Sequence, residues 1–258
     1  MNEVTILLPA WNEAVCLDAL IASWQQYSNE LVTFFNLALH IVIINDGSID
    51  ATHEIGARLE HDFANVTLVD HPCNMGLGAA VKTGIKYVLE NRKNSIFTCI
   101  MDCDNTHDPK YIVYMLAKQR SDNADIVIAS RYQKGARALG VSKLRVFTSE
   151  CARCIYSLIL HIKNVRDYTC GYRLYSREIL MAGHARFGDE LVSETGFACM
   201  AELLYKLYAC GARISEVPFI LRYDFKKGTS KMRVIKTVMS SISVVLRLKK
   251  IRRQNKNE

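Results

Sequence analysis

No run of about 18 uncharged apolar residues occurs in this 258-residue chain, which argues against a membrane-spanning helix. The N-terminus also lacks the charged stretch, apolar core and small-residue cleavage site of a secretory leader. Its nine Cys are odd in number and scattered, so a disulfide framework is not expected and a reducing, cytoplasmic setting is. Cys151 and Cys154 form the sole CxxC, with no second CxxC or CxxH to complete a tetrahedral zinc site. The expectation there is a helix on which both act as small hydrophobes. Internal repeats and low-complexity linkers are missing as well. The length suits one core, with at most a C-terminal appendage.

Excess charge is missing from most of the chain too, although the formal net charge is +7. Residues 1–230 hold 24 Lys/Arg against 25 Asp/Glu, while residues 231–258 hold nine against the single Glu258. The basic character belongs to the tail.

What the chain does have is alternation. Apolar runs at Val4 to Leu8, Leu39 to Ile44, Val66 to Val69, Ile96 to Met101 and Asp125 to Ala129 read as strands. Between them Glu13 to Tyr27, Thr52 to Phe63, Leu77 to Leu89 and Lys110 to Arg120 read as helices, several opening near Asn, Asp or Gly. This order predicts buried parallel strands with crossover helices. Beyond residue 132 a polar loop, a helix from about Lys143 to Ile162 and a strand-like Ile214 to Tyr223 are expected.

In parallel sheets ligands gather at the carboxyl ends of the strands, and here those ends are rich in polar residues. They read PAWNE (Pro9 to Glu13), NDGSID (Asn45 to Asp50), NMGLGAA (Asn74 to Ala80), DCDNTHD (Asp102 to Asp108) and SRY (Ser130 to Tyr132). Asp102 and Asp104 suit a hard divalent cation such as Mg²⁺ or Mn²⁺, which takes one or two carboxylates and completes its shell with phosphate oxygens. The competing reading of an Asp-x-Asp is a solvated or helix-capping pair. Asp108, followed by Pro109, is placed to cap the next helix. Asp50 is placed to cap the helix after NDGSID, leaving Asp46 to face a nucleotide. Gly76 and Gly78 mark a close approach of backbone, either to an anion at the helix that starts near Leu77 or to neighbouring chain.

Taken together, in this order and spacing, these segments resemble the family-2 inverting glycosyltransferases, most closely the polyprenol-phosphate sugar synthases such as dolichol-phosphate mannose synthases. Asp167 to Arg173 (DYTCGYR), Glu194 to Glu202 (ETGFACMAE), Glu216-Val217-Pro218 and Gly228 to Lys231 (GTSK) extend the resemblance to about residue 232. It implies an A-type glycosyltransferase fold, a Rossmann-like nucleotide-binding α/β/α sandwich over residues 1–230. It also implies transfer of a sugar, with inversion, from a nucleotide-diphosphate sugar to a polyprenyl phosphate. Pro9, Ala10, Trp11, Glu13, Asp46, Asn74, Gly78, Lys82, Asp102 and Cys103 would then line the donor nucleotide. Asp102 and Asp104, with Thr106, would hold Mg²⁺ or Mn²⁺. Arg131, Arg145, Ser149, Arg222, Ser230 and Lys231 would surround acceptor or donor phosphates. The implied catalytic set is Asp104, Asp167, Arg131 and Arg145. Three positions depart from the family pattern: Trp11 replaces a usual Tyr, Asn45 the first Asp of DDGS, and Thr106 a metal-coordinating Gln.

A hydroxyl acceptor needs a general base, for which Asp167 is the best placed; a phosphate acceptor is already anionic and needs none. From Arg131 to Arg145 there are basic residues and no acid, which suits phosphate capture as well as it suits a solvated loop. Tyr132 and the helix that follows are placed to flank a lipid stem. From Lys231 to Arg253, Val234, Ile235, Val238, Met239, Ile242, Val245 and Leu246 recur at helical spacing among basic residues. That predicts a basic amphipathic helix peripheral on an anionic, cytoplasmic membrane face, or packed on a twin subunit in a homo-oligomer. The tail lacks interleaved aromatics, so nucleic acid is not an expected partner. A hydroxyl acceptor and a non-catalytic nucleotide-binding module are the alternatives.

Overall fold

The computed structural model describes residues 1–141 and 143–225, with backbone only at 143–148 and 152. Its central sheet has seven strands in the order β3-β2-β1-β4-β7-β5-β8. These are β1 (Asn2–Ala10), β2 (Leu37–Asn45), β3 (Val66–Asp70), β4 (Ser95–Ile100), β5 (Ile126–Ser130), β7 (Arg173–Ser176) and β8 (Ile214–Pro218). A separate pair joins β6 (Arg137–Leu139) to β9 (Ile220–Arg222). The tail expected from Lys231 to Arg253 lies outside the described residues.

Strands β1, β2 and β5 are nearly all buried along their length, which is why they read as unbroken apolar runs rather than alternating ones. The expected helices are α1 (Ala14–Gln26), α3 (Thr52–Asp62), α4 (Leu77–Asn91), α5 (Tyr111–Asp122) and α6 (Lys143–Leu160). Helix α1 turns Leu17, Leu20, Ile21 and Trp24 into the core, the spacing of one helical face. Helix α4 does the same with Val81, Ile85 and Val88. Among the described residues no helix is long and apolar enough to cross a membrane.

The structure differs from expectation in four places. A further helix, α2 (Ser28–Phe35), follows α1 directly and ends at Asn36 in the left-handed region. The strand expected at 214–223 splits at Pro218 into β8 and β9, since Pro cannot donate to a ladder. The loop after β5 contains β6, paired with β9, rather than unbroken coil. Cys151 and Cys154 do lie on α6, but both are exposed and serve no core.

The larger surprise is β7, which runs antiparallel between β4 and β5 in a sheet expected to be parallel. Its Arg173 is fully buried and donates to the carbonyls of Tyr168 and Met200, so a charged residue interrupts what would otherwise read as an apolar strand. The reversal has a functional result. Arg173 pairs with Ile100 and Ile128, so the segment before it, Asp167–Tyr172, arrives at the same edge as the carboxyl ends of β4 and β5. Two more helices, α7 (Arg177–Phe187) and α8 (Cys199–Ala209), complete this half.

Candidate active site

The loop after β1 is fastened to the loop after β2. Asn12, in the left-handed region at φ 55°, donates its N–H to Ser48 Oγ at 2.9 Å and accepts from Ile49 N at 2.9 Å. Glu13 N donates to Thr52 Oγ1 at 2.9 Å. Pro9 and Ala10 pair alongside Ile44 and Asn45, and Trp11 stands 38 % exposed above them. The N-cap position of α3 is Ala51; Asp50, one residue earlier than expected of a cap, accepts from Thr52 N at 3.1 Å and also from Ala14 N at the start of α1.

Asp46 does not stand open to a nucleotide. It is 3 % exposed, and its carboxylate accepts from His71 Nδ1 at 2.7 Å, Met75 N at 2.9 Å and Gly76 N at 2.8 Å. A carboxylate only accepts, so His71 presents an N–H at Nδ1, while its Nε2 shares a hydrogen bond with Thr83 Oγ1 at 2.9 Å. Asp46 therefore ties the loop after β3 to the end of β2. Asn45 is buried too, its amide donating to Asp70 at 2.7 Å. An Asp at that position would set two carboxylates face to face, which accounts for the departure from DDGS.

The start of α4 packs closely on neighbouring chain. Gly78 N donates to Thr195 O at 2.9 Å, and a Cβ on Gly78 would lie 1.6 Å from Glu194 O. The glycine is there for close packing against the loop before α8. That loop is held by the buried Glu202, which accepts from Ser193 N, Glu194 N and Lys206 Nζ. Asn74 is exposed on the same turn. Lys82 faces Asp189 at 3.5 Å.

Asp102 and Asp104 leave the carboxyl end of β4 together. Thr106, 2 % exposed, donates its hydroxyl to Asp104 Oδ1 at 2.5 Å and its N–H to the same oxygen at 3.2 Å. It thus orients Asp104. Asp108 accepts from Lys110 N at 2.9 Å just ahead of α5, but the N-cap position is Lys110 and not Asp108 as expected. The side chain of Cys103 points into the core, where burial pushes its thiol well above the usual range; only its backbone is at the site. Asp102 lies against Gly171 of the segment before β7. Among the described residues no cluster of three or more His, Cys, Asp or Glu is arranged to hold a metal. Two carboxylates at a strand end are nevertheless the protein share that Mg²⁺ or Mn²⁺ takes when a diphosphate supplies the rest. The donor set fits.

Asp167 is fully buried, and Arg131 forks onto it through Nε at 2.8 Å and Nη2 at 2.7 Å. The N–H groups of Arg131, Thr169 and Cys170 also donate to it. Burial alone would raise the carboxyl, but the charge and hydrogen bonds of Arg131, with the charge of Arg173, outweigh it and hold it below the usual carboxylate range. Asp167 is therefore the ionised counter-ion of Arg131. Arg131 retains 20 % exposure at the edge of the site. Glu216, whose role the sequence reading missed although it singled out its motif, accepts from Arg166 N and Asp167 N at 2.8 Å and from Gln133 at 2.9 Å.

Tyr132 is half-buried with two cations, Arg131 and Arg153, against its ring. Arg222 lays its guanidinium on Asp224 and Phe225, while its N–H donates to Thr106 O at 3.0 Å, which brings β9 beside the Asp104 loop. Ser149 is half-buried on α6. The side chain of Arg145, on the same helix, and all of Ser230 and Lys231 lie outside the described residues.

The sequence pattern described as Glycosyl transferase family 2 matches residues 5–183. The chain belongs to that family. This glycosyltransferase is 27 % identical over 232 residues to the polyprenol monophosphomannose synthase of Mycolicibacterium smegmatis, covering 90 % of this chain and 81 % of that one. It is 28 % identical over 224 residues to dolichyl-phosphate beta-glucosyltransferase ALG5A of Trichomonas vaginalis, covering 83 % of this chain and 64 % of that one. The mannosyltransferase PcManGT of Pyrobaculum calidifontis, solved with GDP-Man and Mn²⁺, has the same fold: TM-score 0.56 at 15 % identity, over 91 % of this chain and 59 % of that one. The architecture is the A-type glycosyltransferase fold.

Proposed function

We propose that this glycosyltransferase moves a sugar, with inversion, from a nucleoside-diphosphate donor to a polyprenyl phosphate. The observation that carries the reading is the Arg131–Asp167 pair. The acid best placed to deprotonate a hydroxyl acceptor is buried, ionised and engaged by Arg131. A phosphate acceptor brings its own negative charge and needs no such base. Arg131 at the rim, with exposed Lys134, Arg137 and Arg166, supplies cations where that charge would sit. Both curated relatives named above carry a polyprenol or dolichol phosphate in their names, which agrees with this reading.

Asp102 and Asp104 are the residues that would hold Mg²⁺ or Mn²⁺, with Thr106 orienting Asp104 rather than ligating. The ion would neutralise the charge that develops on the departing diphosphate. Trp11 and Glu13 lie at the same edge, where the nucleoside would rest. The basic amphipathic pattern of residues 231–253 suits attachment to an anionic membrane face, where a polyprenyl acceptor resides.

The reading is tested by offering UDP- and GDP-sugars with Mn²⁺ or Mg²⁺, with and without a short polyprenyl phosphate. Lipid-dependent release of nucleoside diphosphate, abolished in Asp104→Ala, is the expected result. Transfer confined to soluble alcohols would move the assignment to a hydroxyl acceptor.

A further inference from the structure

His107 stands close behind the two carboxylates and is 6 % exposed. Its ring is wedged against Tyr172 and Phe219, with centroids 5.6 and 5.4 Å away. Tyr172 is itself fixed by a hydrogen bond from its hydroxyl to Pro109 O at 3.2 Å. The ring therefore has little room to turn.

Its Nδ1 is buried and has no hydrogen-bond partner among the described residues. That nitrogen faces Asp102 Oδ2 at 3.8 Å, too far for a hydrogen bond and too near to admit a bridging water. Buried polar atoms are seldom left in this condition, and one aimed at a carboxylate from less than 1 Å beyond hydrogen-bond range, as about 3 Å is typical, has an obvious partner in a slightly different state of the site. Since the ring is held by its aromatic neighbours, the group that moves is Asp102.

We propose that His107 is a positioning residue for Asp102, donating Nδ1–H to its carboxylate once a divalent cation and a nucleoside diphosphate are bound. This rests on the reading of Asp102 and Asp104 as the cation-holding pair. The hydrogen bond would select one rotamer of Asp102, so that binding need not also order it. Partners of ligating carboxylates act in this way elsewhere, and their loss weakens metal binding by about 10- to 100-fold.

The test is Mn²⁺ binding to the full chain with UDP or GDP present, read by the electron paramagnetic resonance of unbound Mn²⁺. His107→Phe keeps the ring but removes the donor, and weakening in the range of about 10- to 100-fold is expected. His107→Asn, whose amide nitrogen takes the place of Nδ1, is expected to bind within a few-fold of wild type. Asp104→Asn separates the two levels of the argument. If it loses Mn²⁺ while His107→Phe binds like wild type, the role of His107 is overturned and the cation site stands. If Asp104→Asn also binds like wild type, the cation reading fails and the inference with it. Should His107→Phe not fold, as judged by its circular dichroism melt, His107→Gln, whose amide reaches past the Nδ1 position, replaces it: weakened binding supports the role and wild-type binding overturns it.

Discussion

A Cβ placed on Gly171 would lie 2.7 Å from Asp102 Oδ1. The contact joins two segments far apart in the chain, the end of β4 and the approach to β7, at the point where a cation would be held. Gly171 is not among the positive-φ glycines, so Ala is not strained there by a left-handed backbone and acts by displacing the carboxylate. Gly171→Ala is expected to fold with a melting temperature near wild type, yet to bind Mn²⁺ about tenfold more weakly or worse. Unchanged affinity in a folded variant would mean that Asp102 has another usable rotamer.

Asp167→Asn separates a structural ion pair from a catalytic base. Removing one charge of a buried pair strands the other, at a cost of about 3–5 kcal/mol. The carboxyl is held below its usual range, so the pair's contribution is complete above the unfolded value and is lost as pH falls through the folded one, that is, below about pH 4. Asp167→Asn should accordingly be much less stable than wild type in urea at neutral pH. Were Asp167 also the base, the activity per folded molecule would in addition lose its acid limb.

How far the sequence could be read follows the range of the interactions. Strands β1 and β2 were legible because burial on both faces leaves a plain apolar run. Asp102 and Asp104 were legible because they interrupt such a run at its end. Asp167 was legible as a site residue but its ion pair was not, since its partner Arg131 lies 36 residues earlier and only the sheet brings them together. The partners of Asp46 were hidden for the same reason, being His71 and the N–H groups of Met75 and Gly76. β7 was missed because Arg173, which its neighbours' carbonyls make tolerable, reads as a break in a strand.

His40 gives the fold a separate acid sensitivity. Burial and the nearby Arg92 lower its pKa to about 4, against the smaller upward pull of Glu3. Between the unfolded value of about 6.5 and the folded one the unfolded chain binds a proton that the native state refuses, so stability rises with pH across that window and falls on acidification. The expected loss is on the order of 2 kcal/mol by pH 4, discounted for residual hydration of the ring. In His40→Gln the urea midpoint should vary less with pH over the same range. A slope equal to that of wild type would assign the acid limb to other groups.

Thr106→Val tests the residue that departs most from the family pattern. The substitution preserves shape and removes the hydroxyl that donates to Asp104 at 2.5 Å, while the N–H bond at 3.2 Å remains. A hydrogen bond to a charged group contributes about 1.5–3 kcal/mol, part of which here goes to fixing the direction of a carboxylate that the cation needs. A small fall in melting temperature and a roughly tenfold weaker Mn²⁺ affinity are therefore expected, with the fold intact. If Thr106 instead ligated the ion, the change would fall on metal affinity with no loss of stability in the metal-free protein. Melting curves recorded in EDTA distinguish the two, because only the hydrogen bond to Asp104 exists without the metal.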